Sequence, residues 1–228
     1  MTPFPLTSDF LRYLAAQPNG NSDHSEDVQL PSLKDLSGEL GVSVAALREQ
    51  LEVARAIGLV DVRPRTGIRR LPYAFLPAVR QSLSYAVSLD MQHFYTFADL
   101  RIHIEVAYWQ EAAARLTAED HQTLRRLMAQ AWEKLRGSPV RIPHQEHKQL
   151  HLCIYSRLDN PFVQGLLEAY WEMYEAVGLN LYADYPYLTQ VWEYHQRIVD
   201  AICSGDYSAG LQALIEHRDL LYQRAGVK

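Results

Sequence analysis

Residues 30–60 read LPSLKDLSGELGVSVAALREQLEVARAIGLV, and this pattern predicts two short helices joined by a tight turn. Ser32 and Ser43 can each cap a helix, because a serine hydroxyl accepts a hydrogen bond from the free backbone N–H groups at a helix start. Gly41 supplies the turn between the helices, and Gly58 ends the second one. This order is that of a helix-turn-helix.

Residues 59–73, LVDVRPRTGIRRLPY, predict a two-stranded β wing. Two β-favouring runs, at 59–62 and 68–71, flank an arginine-rich turn. Between Arg48 and Arg70 there are six arginines and three acidic residues. A local basic surface of this kind is compatible with contacts to DNA phosphates. Any small helical hairpin before a β-ribbon has the same pattern, so the arginines are what favour DNA binding.

After Pro72 the hydrophobic periodicity predicts helices almost throughout. We predict them over 74–90, 93–115, 118–136, 143–158, 161–179, 186–204 and 207–224. The predicted fold class is therefore mainly α, with an N-terminal winged helix-turn-helix followed by an all-α bundle of six or seven helices. We place the DNA-binding domain at 1–72 and the helical domain at 73–228.

A second informative stretch, HQEHKQLHLCIYSRLDN at residues 144–160, contains two histidines one helical turn apart. His147 and His151 therefore lie on one face of a helix. Two later histidines, His195 and His217, lie within predicted helices beside apolar positions. A single histidine is more often an ordinary core or surface residue. Four imidazoles on three helices, however, can converge on one metal ion inside a bundle.

Arg101 and Glu105 are four residues apart in a strongly apolar helical pattern. They can form a surface ion pair worth a few tenths of a kcal/mol. Alternatively, the arginine points into the bundle and holds a carboxylate ligand through two hydrogen bonds. The residues alone leave both interpretations open.

Composition excludes several classes of protein. The net charge is −5, so the chain as a whole has no basic signature of nucleic-acid binding. The N-terminus lacks the basic start and apolar core of a signal peptide. No apolar run approaches the roughly eighteen residues that suggest a membrane span. We expect a cytoplasmic protein without a membrane partner.

The N-terminal motifs LPS-x-x-x-L, GVS-x-x-x-x-R and GLV, followed by an arginine-rich turn that ends in glycine, resemble the winged helix of GntR-type transcriptional regulators. The resemblance implies a double-stranded DNA operator contacted by Ser32, Lys34, Ser43, Arg48, Arg65 and Gly67. Val44 and Lys34 stand where the family usually has arginine. Each departure removes a guanidinium able to bridge two acceptors, which implies an atypical operator or a modest affinity.

The C-terminal part, to about residue 220, resembles the FCD effector domain of the FadR subfamily. The resemblance implies a divalent metal held by His147, His151, His195 and His217. It also implies a small organic acid effector bound by Arg101, Glu105 and Asn160. His147 stands where the family usually has Asp or Asn. Because a fourth nitrogen ligand replaces an oxygen, we expect Zn²⁺ or Ni²⁺ rather than Mn²⁺.

These observations predict a ligand-responsive, DNA-binding transcriptional regulator that contains a metal and is not an enzyme. A two-fold symmetric operator requires two DNA-binding heads, so we expect a homodimer. A polar four-histidine cavity favours a short hydrophilic acid over a fatty acyl ligand. The alternatives are a metal-dependent enzyme that uses the histidines to activate water and a metal that only holds the bundle together. No general base is evident for the enzyme, and four protein nitrogens leave little open coordination.

Overall fold

The computed structural model describes residues 6, 8–17, 28–64, 66–178 and 184–225, with only the backbone described at 219 and 221–225. Within these ranges the chain forms ten helices and three short strands, so the predicted mainly α fold class is confirmed. Internal contacts divide the chain into two units, 1–82 and 83–228. This division lies inside a helix, about ten residues beyond the predicted limit at 72, and the domain limits themselves stay a prediction.

Unit 1 combines three helices with a small antiparallel sheet. Its elements are α1 (Asp9–Ala16), β1 (Val28–Gln29), α2 (Leu33–Leu40), α3 (Val44–Ala56), β2 (Val60–Arg63) and β3 (Gly67–Arg70). The strand order is β1-β3-β2. Val62 faces Ile68 in the β2–β3 pair, and Gln29 faces Arg69 in the β1–β3 pair. A helix, a turn, a helix and a hairpin therefore follow one another in the predicted order.

Local capping sets the ends of the two central helices in unit 1. The Ser32 hydroxyl accepts a hydrogen bond from the backbone N–H of Asp35 at 3.3 Å, and the Ser43 hydroxyl accepts one from that of Ala46 at 3.2 Å. Gly41 ends α2 with a φ of 66°, a left-handed conformation that favours glycine. The predicted caps and the predicted turn are thus confirmed.

Strand β1 was not predicted. It consists of two residues at the end of a polar segment, too few to show an alternating pattern. Tertiary contacts hold it in place instead. The backbone N–H of Leu30 donates to the Ile68 carbonyl at 2.9 Å, and the Gln29 side-chain amide donates to the Thr66 carbonyl at 2.8 Å.

The helices that follow agree closely with the predicted ranges. They are α4 (Leu76–Leu89), α5 (Gln92–Ala114), α6 (Ala118–Arg136), α7 (His144–Ile154), α8 (Pro161–Ala176), α9 (Tyr185–Ser204) and α10 (Tyr207–Ala225). Two end at least three residues early: α7 ends four residues before the predicted 158, and α8 ends three before 179. Gly178 follows α8 with a φ of 72°, which interrupts helical geometry.

The core of unit 2 forms where α9 packs against α10 and α6, while α5 packs against α10 and α8. Trp109, Trp171 and Trp192 are its largest fully buried side chains. Thr117 and Asp120 form a capping box at the start of α6. This packing brings α7, α9 and α10, the helices that carry the four candidate histidines, next to α5. No helix among the described residues is long and apolar enough to cross a membrane.

Candidate metal and effector site

The four predicted metal ligands come together within unit 2. His147 and His151 lie one turn apart on α7, His195 lies on α9 and His217 on α10. Each contributes one ring nitrogen to a group whose members are all within 4.8 Å of one another. Separations of this size allow four nitrogens to bind a single metal ion. We call these four residues the histidine cluster.

Burial keeps the histidine cluster neutral. Loss of hydration lowers the pKa of His147, His151 and His195 well below the ordinary value, with further lowering by neighbouring positive groups. The same cause lowers the pKa of His217 to about 3. A neutral imidazole has one nitrogen with a free lone pair, which is the form that binds a metal.

Several of these nitrogens have no hydrogen-bond partner among the described residues. They are Nε2 of His147, Nδ1 of His195 and Nδ1 of His217. Nε2 of His151 lies 3.1 Å from Nε2 of His195. Buried polar atoms are normally paired, so these unpaired nitrogens at one place fit a bound cation.

Arg101 and Glu105 form a buried ion pair beside the histidine cluster. Arg101 Nη2 lies 2.8 Å from Glu105 Oε1, and the two residues are 6% and 1% exposed. Burial raises the pKa of Glu105, and the Arg101 guanidinium opposes that shift. Of the two interpretations that the sequence left open, the structure excludes the surface pair.

Glu105 also contacts a candidate metal ligand directly. Its Oε1 lies 3.1 Å from Nδ1 of His151, and Arg101 Nη2 lies 2.8 Å from the same nitrogen. The Nδ1 atom can serve only one of these two contacts. When it donates its N–H to Glu105, Arg101 Nη2 hydrogen-bonds to Glu105 alone, and the Nε2 lone pair of His151 is free to bind a metal. Metal-binding histidines commonly have such a carboxylate behind them, because it sets the tautomer and the ring orientation.

A cavity that is partly open to solvent adjoins the histidine cluster. Arg101, Glu105, His147 and His217 line it together with His144, the first residue of α7. Its remaining wall is largely aromatic and aliphatic. Polar groups that converge on a largely apolar cavity are typical of a ligand site.

Asn160 lies at the start of α8. Its side-chain oxygen caps α8 by accepting hydrogen bonds from the backbone N–H groups of Phe162 and Val163. Its side-chain amide donates to the Tyr108 hydroxyl at 3.2 Å. Asn160 is not among the described residues that line the cavity. Its side-chain oxygen is used by the cap and its amide by Tyr108, and a contact with an effector stays a prediction.

The predicted DNA-contacting residues lie on the surface of unit 1. Ser32, Lys34, Ser43, Arg48 and Gly67 are all exposed. Arg48, on α3, makes no hydrogen bond or ion pair with any residue that the structure describes. Arg65 lies outside the described residues.

Some of the wing arginines are engaged within unit 1. Arg63 Nε lies 2.6 Å from the Asp61 carboxylate. Arg70 donates to the backbone carbonyl of Gln17 at 3.2 Å. The basic character inferred from the number of arginines is therefore reduced at the wing, and Arg48 on α3 remains the clearest exposed cation.

The aromatic wall of the cavity was missed from the sequence. Tyr170 and Trp171 on α8 face the Arg101 guanidinium, which lies 4.6 and 5.4 Å from the two ring centres. Trp192 on α9 lines the same cavity. Aromatic residues at helical spacing are as typical of a core as of a binding site, so no sequence signal separated the two.

Comparison with known proteins places this site in a family. The family model of the FCD domain matches residues 96–220, more than half of the chain. An Escherichia coli protein, "Uncharacterized HTH-type transcriptional regulator YieP", is 28% identical over 81% of this chain and 80% of its own length. The E. coli "Putative L-lactate dehydrogenase operon regulatory protein" is 24% identical over 86% of this chain and 77% of its own length.

A solved structure, "Streptococcus agalactiae GntR", has the same fold with a TM-score of 0.67. It covers 94% of this chain and 96% of its own, at 16% sequence identity. The relatives are named as transcriptional regulators rather than enzymes, which agrees with the prediction. The chain belongs to the FCD-domain family of GntR-type transcriptional regulators.

Proposed function

We propose that this regulator binds a divalent metal and a small carboxylate effector in unit 2, and that effector binding changes its affinity for a DNA operator. The observation that carries the proposal is the histidine cluster: four neutral imidazoles within 4.8 Å, beside a buried arginine and a cavity. Packing alone does not account for the unpaired ring nitrogens that these residues bring together.

His147, His151, His195 and His217 would hold the metal. An all-nitrogen donor set favours Zn²⁺ or Ni²⁺. A bound divalent cation would supply a positive charge and a site for an acidic oxygen. Glu105 acts here as a positioning residue for His151, in addition to its predicted role near the effector.

Arg101 is well placed to hold the effector carboxylate. Its Nη2 contacts Glu105, whereas its Nε is buried without a partner among the described residues. A carboxylate would satisfy that donor with a charge-assisted hydrogen bond. One relative is named for an L-lactate dehydrogenase operon, which is consistent with regulation linked to small organic acids.

For DNA binding we propose the exposed residues of unit 1 together with Arg65. Helix α3 would lie in the major groove, where Ser43 and Arg48 are at its exposed face, and the wing would contact the DNA backbone. Ser32, Lys34 and Gly67 would contribute from the surrounding surface. A two-fold symmetric operator would be read by a homodimer.

The metal site is tested by measuring the metal content of purified variants. We expect His195→Ala to lose bound metal. The control is His144→Ala, because His144 lines the cavity but is not in the histidine cluster. It should keep a stoichiometric metal. Equal metal content in both variants would contradict the proposed ligand set.

The regulator is tested by titrating the full-length protein against DNA from upstream of its own gene, at fixed salt and with unrelated DNA as competitor. Arg48→Ala should weaken specific binding. Arg55→Ala on the same helix is the control, since Arg55 is paired with Glu52.

Arg101→Lys keeps the charge but loses the guanidinium fork, so it should abolish the response to carboxylates without loss of metal.

A further inference from the structure

The cavity beside the histidine cluster is more apolar than a four-histidine site suggests. Most of the described residues that line it are aliphatic or aromatic. Val191 and Trp192 lie three and four residues after Leu188 on α9, so these side chains form one stripe on that helix. Leu214 on α10 and Ile142, just before α7, extend this apolar wall.

A short hydrophilic acid would leave this apolar wall in contact with water. An apolar ligand body would cover it and remove that surface from water, which favours binding in proportion to the area buried. Tyr170, which also lines the cavity, is already stacked by Phe94 on one side at a ring separation of 5.7 Å. Tyr170 is therefore part of a packed aromatic wall against which an apolar group can be buried.

The polar features of the cavity suit one carboxylate. Two buried donors in lining residues, Arg101 Nε and Trp171 Nε1, have no acceptor among the described residues. Glu105 is the only acidic residue among the described residues that line the cavity, and it is already paired with Arg101. The site thus has unused donors for one anionic group. Arg218, the other arginine in the lining, already has an interaction of its own.

We infer that the effector is a monocarboxylate with an apolar body. The inference rests on the proposed function of the same cavity and specifies its ligand. It replaces the short hydrophilic acid expected from the four histidines alone.

Calorimetric titration of the zinc-loaded, full-length protein with three matched probes tests this inference. 3-Phenyllactate has a 2-hydroxy carboxylate group and a phenyl ring. Lactate has the 2-hydroxy carboxylate group without the ring, and 3-phenylpropane-1,2-diol has the ring without the carboxylate. We expect 3-phenyllactate to bind about tenfold or more tightly than lactate, because burying a phenyl group contributes at least that factor. The diol should bind more weakly than 3-phenyllactate by a similar factor.

The outcomes separate this inference from the proposed function. Lactate binding as tightly as 3-phenyllactate would overturn the apolar body while leaving a carboxylate effector in place. A diol that binds as well as 3-phenyllactate would overturn the carboxylate head. Absence of binding by both acids would contradict the proposed effector site itself.

A pair of valine variants tests the wall directly. Val191→Thr keeps the shape of the side chain and places a hydroxyl on the cavity wall. Val199→Thr makes the same change at a buried position on α9 that does not line the cavity. We expect Val191→Thr to weaken 3-phenyllactate binding about threefold to tenfold and to leave lactate unaffected. Val199→Thr should leave the ratio of the two affinities unchanged, and an unchanged ratio in both variants would contradict the inference.

Discussion

The two units of this chain place their candidate functional residues in opposite environments. In unit 1, the DNA-contacting candidates Ser43 and Arg48 are exposed, and the position of each follows from a short helix with its own cap. In unit 2, Arg101, Glu105 and the histidine cluster are buried or half-buried, and each depends on helices far apart in the chain. The chemistry is on the surface in one unit and inside the core in the other.

This difference determines how each site should respond to substitution. A surface residue can lose its function while the fold keeps its stability, because few interactions within the protein are removed. A buried charged residue supports the fold and the site together, because removing one partner leaves the other without compensation. Stability and function should therefore change together in unit 2 and separately in unit 1.

The largest effect is expected from Glu105→Gln, which leaves the buried Arg101 without its counter-charge. We expect a loss of about 3–5 kcal/mol in the free energy of unfolding, measured with urea in the presence of a chelator. Glu111→Gln on the same helix is the control, because Glu111 pairs with Arg115 at the same four-residue spacing on the surface. It should lose no more than about 0.5 kcal/mol. Similar losses in both variants would contradict the contrast between buried and exposed pairs.

A second contrast uses one glycine from each unit. A Cβ added at Gly210 on α10 would lie 2.5 Å from Cζ2 of the buried Trp109. Gly210→Ala should therefore cost about 1–3 kcal/mol through overpacking. Gly38 on α2 has nothing within 4 Å of the added atom, so Gly38→Ala should stabilise the helix by up to about 1 kcal/mol. Thermal unfolding of both variants measures whether their stabilities change in opposite directions. Destabilisation by Gly38→Ala would contradict this expectation.

A smaller, pH-dependent effect is expected at the start of α6. Hydrogen bonds from Arg157 and from the Thr117 cap lower the pKa of Asp120 below its ordinary value. The stability that this carboxylate contributes is present above about pH 4, where the unfolded chain is also ionised, and it is lost as the pH falls toward the lower folded value.

Asp120→Asn should accordingly be about 1 kcal/mol less stable than the wild type at pH 7. This difference in the free energy of unfolding between the two proteins should become smaller only below about pH 4. Urea unfolding of both proteins between pH 7 and pH 2.5 measures it. A gap that is constant over this range would mean that the ionised carboxylate has no part in the stabilisation.

The smallest change in stability is expected from Arg48→Ala. Arg48 is exposed and has no partner among the described residues, so the free energy of unfolding should change by less than about 0.5 kcal/mol. Specific DNA binding should nevertheless weaken in the titration described above. A large loss of stability would show that the side chain supports the fold of unit 1, and it would weaken the contrast with unit 2.

Local features of the fold were predictable from the sequence, because they depend on a few neighbouring residues. The caps Ser32 and Ser43, the left-handed Gly41 and the helices of unit 2 all follow from short-range chemistry. The unpredicted strand β1 depends instead on residues about forty positions away, including Thr66 and Ile68. A contact of that kind leaves no local pattern.

The candidate site shows the same division. The spacing of His147 and His151 predicted that they share a helix face. That His195 and His217 lie close to this pair was a hypothesis. The packing of α7, α9 and α10 brings one ring nitrogen from each of the four histidines together. Asn160 was assigned to the effector on family resemblance, and the structure shows that its side chain caps α8.

By itself, the sequence determined the order of helices and strands, their caps and the residue types able to bind a metal or DNA. Hydrophobic periodicity and capping act over one or two helical turns, so they can be read along the chain. Only the tertiary structure decided that Arg101 and Glu105 form a buried pair, that Glu105 contacts His151 and that an apolar wall adjoins the histidine cluster. These features depend on which helix faces meet, and close packing of the whole core settles that.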